Sequence, residues 1–296
     1  MRTTSSMVYR NYLRDLTRVT DNMYKTHRSI TTGRRVDRPS DDPTAALKIV
    51  KMQSTLSELS SYDRSITHSK AWLDTTEQAL ADVNNALIRV KELAIRGASG
   101  AMSVGSRKAL ADETRVIADH LMQAANTDVG GRHVFSGFQT DTEPFAYVAG
   151  SVVYQGDAGI MSRQIGFGQE IDINTTGDKV FYNGAEDLFT VVSDTADAIE
   201  IGDTSAVSNT LIGRISVFAD QISATRAVVG ARLNRLALAQ SRISEMEISF
   251  QSVLSREKDV DIAGAITRFA AVEASHRTIL AVGSKLVQPS LVDYIT

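Results

Sequence analysis

No cysteine occurs among the 296 residues, which excludes disulfides and thiolate metal sites. That absence fits a reducing interior and an unstapled life outside the cell equally well. Aromatic residues make up only 6% of the chain, with Trp72 the sole tryptophan, a composition that suits long packed helices better than a compact enzyme core. No run approaches the roughly 20 apolar residues of a membrane span, so membrane insertion is not expected. The opening residues, MRTTSSMVYRNYLRDL, lack the apolar stretch of a cleavable signal peptide; export, if it occurs, is expected to take a route that needs none. A net charge of −3 gives no bulk case for nucleic acid.

What the chain does contain is helical periodicity. Tyr9, Tyr12, Leu16, Val19, Met23, Thr26 and Ile30 recur at steps of three and four, the stripe of a heptad helix. Two tyrosines and a threonine make that stripe weak, so it is expected to need a partner helix. Residues 1–40 are basic, with nine Lys or Arg (Arg2, Arg10, Arg14, Arg18, Lys25, Arg28, Arg34, Arg35, Arg38) against Asp15, Asp21 and Asp37. On a heptad helix such an excess reads as a solvated face meeting an acidic neighbour. Between Ile30 and Leu47 the pattern breaks into an elbow. Gly33 ends the first helix, Pro39 biases Arg38 away from helical angles, and Asp42-Pro43 opens the next helix. Arg34 and Arg35 are expected to pair with Asp37, Asp41 and Asp42, and Val36 lies among them.

A second stripe runs through Ile49, Met52, Leu56, Leu59, Tyr62 and Ile66 and on through Leu73, Leu80, Val83, Leu87 and Val90. Glycines around residue 100 stop it, and Arg107 to Thr127 resumes as a helix. From about Gly130 to Gly184 the period shortens: VFSGF, FAYV, SVVYQG, EIDIN and KVFYNG predict a small antiparallel sheet. The longest regular stretch follows, from Leu211 to Val253 without a proline, a rod of roughly 65 Å at about 1.5 Å per residue. Chain direction makes it antiparallel to the earlier rod, with Leu73, Leu80, Leu87, Ile215, Phe218, Ile222, Leu236, Ile243 and Phe250 as the expected rod core. A last stripe, Ile262, Ile266, Phe269, Val272, His276, Ile279, Gly283 and Leu286, precedes Pro289. Both ends are thus weak amphipathic helices, and the expected assembly seam is Tyr12, Leu16, Val19, Met23 and Ile30 with Ile262, Ile266, Phe269, Val272, Ile279 and Leu286. A folded hairpin with sticky ends is built to polymerise.

Catalytic constellations are not evident. His27, His68, His120, His133 and His276 are scattered with no HExxH spacing, and no serine sits in GxSxG. Gly100 to Arg107 lacks the Lys-Ser/Thr pair of a phosphate loop, and Asp41-Asp42 reads as caps rather than a cation site. No enzyme activity, cofactor or metal is therefore expected.

Several stretches resemble the flagellin family: Thr32-Gly-Arg-Arg-Val36 with Pro39-Ser-Asp-Asp-Pro43, Gly230-Ala-Arg-Leu-Asn-Arg235, and Asp259-Val-Asp-Ile-Ala263. Gly131-Arg-His-Val-Phe-Ser-Gly137, Glu143-Pro-Phe145 and the ending Ser290-Leu-Val-Asp-Tyr294 resemble the family's hook–filament junction branch more than its filament subunits. The resemblance implies a mainly α fold with a small β insertion, an elongated flagellin-like antiparallel helical rod with paired N- and C-terminal coiled-coil helices. Residues 1–43 and 257–296 would be the terminal coiled coil, 44–130 and 186–256 the helical rod domain, and 131–185 a small β-rich outer domain. It further implies a secreted structural adaptor of the bacterial flagellum, joining hook-side proteins to the filament. Its partners would be copies of itself in a ring, a neighbouring hook-associated junction protein, flagellin, and an export chaperone before secretion. A short flagellin forming the filament itself is the alternative. A ligand-binding module would need a convergent polar pocket in the strand-rich segment, and the sequence names none.

Overall fold

A computed structural model describes residues 5–100, 102–148, 151–184 and 186–287. Pro289 and the ending from Ser290 lie outside these residues, as does the side chain of Leu286. The chain divides into two compact units, Met1–Glu58 with Met246–Thr296, and Leu59–Glu245. The fold is mainly helical with small β hairpins, as the periodicity predicts.

The long helices begin and end where local chemistry dictates. Helix α1 spans Ser5–Thr32 and α2 spans Pro43–Gly97. Asp42 caps α2 by accepting the Ala45 N–H at 3.0 Å, with Pro43 in the first turn, where its missing N–H leaves no helical bond unmade. Helix α3, Val104–Ala125, opens on Ser103, whose hydroxyl accepts the Ser106 N–H. Helix α5, Leu188–Ile201, is capped by Asp187 and stopped by Gly202 in the left-handed region, which costs a residue without Cβ little. The three-residue α6, Thr204–Ala206, and a π turn at Val207–Leu211 lead into α7, Ile212–Lys258, and α8 closes the described chain at Ile262–Val287.

In the larger unit, α2 and α7 pair antiparallel. Arg226 meets Glu77 at 2.6 Å and Gln240 donates to Asp63 at 3.2 Å. Fourteen residues forward on α7 (226 to 240) match fourteen back on α2 (77 to 63), so the helices hold one register without a slip. Of the expected rod core, Leu73, Leu80, Leu87, Ile215, Phe218, Ile222, Leu236 and Ile243 are buried. Phe250 is only half-buried and belongs to the other unit; Leu254 takes the core position there. A straight helix turns every 3.6 residues, so its buried face drifts about 20° per heptad from a 3.5-residue template. The buried row keeps seven-residue steps from Ile215 to Ile243 and then takes eleven to Leu254, three turns at about 3.6 residues each, which passes over Phe250.

Among the described residues the strands do not form one sheet. They are four separate antiparallel hairpins: β1 (Asp128–Val129) with β2 (Arg132–His133), β3 (Phe145–Val148) with β4 (Ser151–Tyr154), β5 (Ser162–Gly166) with β6 (Gln169–Asp172), and β7 (Tyr182–Asn183) with β8 (Glu186–Asp187). Such short ladders are not independently stable, and an aromatic cluster holds them. Phe181, on the short helix α4 (Gly177–Phe181), lies 5.0 Å from Phe145, 5.3 Å from Phe135 and 5.7 Å from Phe189 between ring centroids. The half-buried Tyr154 donates its hydroxyl to the Phe135 carbonyl at 2.8 Å, and burial pushes its phenol up to about 12. Asn126 clamps the Phe145 backbone through both amide atoms at 2.9 Å. Arg232 and Arg235, from the Gly230–Arg235 stretch, donate to the carbonyls of Asn174 and Glu170.

Phe218 is 1% exposed, so Phe218→Ala is expected to cost about 3–5 kcal/mol. Urea unfolding followed by the fluorescence of Trp72, in the same unit, measures it; a loss below about 1 kcal/mol would remove Phe218 from the core.

Candidate assembly joint

The smaller unit brings the two ends of the chain together. After α1, Gly33 turns the backbone with φ 69°, a conformation that favours glycine. The turned segment then pairs with the stretch returning from α7: the Val260 N–H donates to the Gly33 carbonyl at 3.0 Å, and the Arg35 N–H to the Lys258 carbonyl at 2.7 Å. Arg34 and Asp259 face each other across this bridge. One residue on, Val36 enters an apolar cluster with Ala45, Ile49 and Leu254, flanked by Ala46, Met52 and Leu56. Pro39 then occupies the second position of a tight turn closed by the Asp41 N–H on the Arg38 carbonyl at 2.9 Å, a position its fixed φ suits.

Charge organises the surface of the elbow. Arg28 meets Asp41 at 3.2 Å and Asp37 at 3.5 Å, while Arg35 meets Asp42 at 3.4 Å and Glu257 at 3.3 Å. Arg35 also donates to the Glu257 carbonyl at 2.8 Å, and Lys48 reaches the Glu257 carboxylate at 3.3 Å. Pairs this open to solvent add little stability; they fix register. Sequence reasoning names Arg35 and the three aspartates, but Arg28 takes Asp37 and Asp41 in place of the expected Arg34, and the reading also misses Lys48, just past the elbow, and Glu257, 222 residues from Arg35. The Arg38 N–H, then the Arg28 guanidinium, hold the Asp41 carboxyl below its usual range. The Ala45 N–H, then Arg35, do the same for Asp42. Among the described residues no three His, Cys, Asp or Glu side chains gather as a metal site, and no helix is long and apolar enough to cross a membrane.

Helices α1 and α8 pack on each other. Tyr12 lies against Gly283, where an added Cβ would collide with its ring, and His27 stands 6.0 Å from Phe269 between ring centroids. A rise from 12 to 27 on α1 matches a fall from 283 to 269 on α8, so the pair is antiparallel. Tyr12, Leu16, Val19, Met23 and Ile30 are all half-buried, as are Phe269, Val272 and Ile279. Ile262 and Ile266 are not gathered into this seam: each is 54% exposed, and Ala265, at 1%, takes the buried place. The stripe through Ala265, Phe269, Val272, His276, Ile279 and Gly283 keeps strict four-three alternation, which Ile266 breaks. Bulk favours Ile266 in a sequence reading, but close helix approach favours alanine. Outside the seam, Met7, Val8, Tyr9, Leu13, Tyr24, Leu280 and Val282 are exposed. So much apolar surface on one helix pair marks an interaction face.

Residues 4–140 match the bacterial flagellin N-terminal helical region. Flagellar hook-associated protein 3 of Escherichia coli is 26% identical over 304 residues, covering 94% of this chain and 95% of that protein. In structure, a flagellar hook-associated protein from Vibrio parahaemolyticus superposes with a TM-score of 0.70 at 22% identity, over 74% of this chain and all of that one. The flagellar junction protein FlgL from Legionella pneumophila gives 0.61 at 17% identity, over 73% and 100%. At such identities the superpositions speak to the fold.

Two outcomes test the joint. Because the folded-state values of Asp41 and Asp42 are lowered, the stability they add is complete above the unfolded carboxylate range and is lost as pH falls through the folded values. The Arg38 and Ala45 amide resonances, followed from pH 6 to pH 2, are expected to titrate with midpoints below the ordinary 3.8; midpoints at or above 3.8 would show the bonds unmade. Gly283→Val, which forces a branched side chain into the Tyr12 ring, is expected to release α1 from α8, read as faster amide exchange along residues 12–30. Unchanged exchange there would contradict the packing.

Residues 4–140 thus match the bacterial flagellin N-terminal helical region, and the chain is similar along nearly its whole length to flagellar hook-associated protein 3 of Escherichia coli.

Proposed function

We propose that this chain is a structural adaptor of the bacterial flagellum, secreted and polymerising at the hook–filament junction to join hook-side proteins to the flagellin filament. The observation that carries this reading is the terminal helix pair: half-buried along its own seam and apolar on its outer faces. Its polymerising element is residues 1–43 with 257–296, followed by a helical rod of 44–130 with 186–256 and an outer β-rich segment, 131–185. Ile262 and Ile266, open in one chain, are contact residues toward a neighbouring copy. Subunits meet copies of themselves in a ring, a neighbouring hook-associated protein on one side and flagellin on the other, after release from an export chaperone that covers the last helix. The role requires no catalysis, cofactor, nucleic acid or membrane insertion.

The E. coli hook-associated protein 3 aligns over almost the full length of both chains, which favours the junction role over the alternative of a short flagellin. Deleting the gene in its motile host is expected to leave intact hooks with flagellin secreted but unassembled; filaments of normal length on the deletion strain would overturn the junction role. Purified protein separates the two readings, since a flagellin elongates into filaments alone and an adaptor awaits a hook or filament end.

Ile266→Asp places a charge on an outer face while sparing the inner seam. It is expected to leave the thermal unfolding of the isolated chain within about 0.5 kcal/mol, as for an ordinary surface substitution, and to abolish complementation of the deletion. Full motility with this variant would remove Ile266 from the assembly contact.

A further inference from the structure

In the larger unit, three arginines from three elements converge on one cleft of about 500 Å³: Arg64 on α2, Arg132 on β2 and Arg163 on β5. Arg89, Arg115, Arg214 and Arg226 of the same unit all pair with carboxylates. Among the described residues Arg64 and Arg132 donate to hydroxyls, those of Ser60 and Thr140, while Arg232 and Arg235 donate to carbonyls. All three cleft arginines are exposed, so water and salt screen their mutual repulsion, yet together they give this space a local excess of positive charge in a chain with more Asp and Glu than Lys and Arg. Guanidinium groups present planar donor forks that match carboxylate and phosphate oxygens.

The second observation is Trp72, which lines the same cleft and is only 8% exposed. Its indole N–H is buried with no acceptor among the described residues, although buried polar groups ordinarily find partners. The indole and Ile173 give the cleft an apolar wall, and Ser65 adds a hydroxyl. Space of this volume, partly apolar and lined by donors, is that of a small-molecule site.

We propose that this cleft binds an oxyanion, carboxylate or phosphate, carried by a polar ligand of sugar size, with the arginines holding the charge and the Trp72 wall meeting the ring. The binding role is separate from assembly and stands or falls without it.

Because the chain has one tryptophan, its indole resonance in a nitrogen–proton correlation spectrum reports the cleft without ambiguity. The full chain is titrated, at matched ionic strength, with glucose 1-phosphate, with glucuronate and with neutral glucose. A saturable shift of the Trp72 indole signal is expected with a charged sugar and not with glucose, and which of the two acts names the acidic group. Arg163→Gln and Arg64→Gln, both exposed, are each expected to weaken binding at least tenfold with unchanged melting. No saturable shift with either acid, an equal response to glucose, or wild-type binding in both variants would overturn the proposal.

Discussion

Two backbone hydrogen bonds, from Val260 to the Gly33 carbonyl and from Arg35 to the Lys258 carbonyl, are the constraint on which the terminal architecture depends. They fasten the exit of α1 to the entrance of α8, so that two weak stripes begin side by side. Closing a loop of more than 200 residues costs only slowly more than closing a short one, and the long antiparallel helices between them absorb that cost by packing. Gly33 makes the bond geometry accessible, and the Val36 cluster seats it. Neither helix then needs high intrinsic propensity; each is templated by the other.

Arginine recurs as the connector. Arg28 and Arg35 hold the elbow, Arg226 fixes the register of α7 on α2, and Arg115 bridges α3 to Asp197 and Glu200 on α5. The guanidinium fork can donate to two partners at once, which suits it to joining elements distant in sequence. Most of these pairs are half-exposed, so they decide alignment while the buried aliphatic rows supply the stability. Glycine supplies closeness in the same way: at Gly97 a Cβ would lie 2.7 Å from an Ile199 methylene, which lets α2 and α5 approach.

The helices, the elbow and most of the rod core were legible because burial on a helix imposes a period that survives without any partner in view. Leu73, Leu80, Leu87, Ile215, Phe218, Ile222, Leu236 and Ile243 follow from that period alone. Where the structure departs from that period, the reason is geometric. Leu254 replaces Phe250 because the helix turns more slowly than a heptad, and Ala265 replaces Ile266 because close packing prefers small over greasy. The strand-rich segment was legible as strands but not as four separate hairpins, since period two says nothing of which ladder joins which. Its organising cluster, Phe135, Phe145, Phe181 and Phe189, is scattered along the chain, as is Glu257 beside Arg35. Contacts between residues so far apart leave no local signal.

The terminal pair and the elbow answer the solvent in opposite ways. Ionic strength screens the half-exposed Arg28 and Arg35 pairs, whereas sulfate and similar salts strengthen the burial of faces such as those bearing Tyr9, Leu13 and Val282. Concentrated sulfate therefore favours stacking of the ends while loosening the ion pairs of the elbow. Low salt does the reverse, giving well-aimed subunits that are slow to stick. An ordered polymer needs both, so growth of regular rather than tangled material should peak at an intermediate ionic strength.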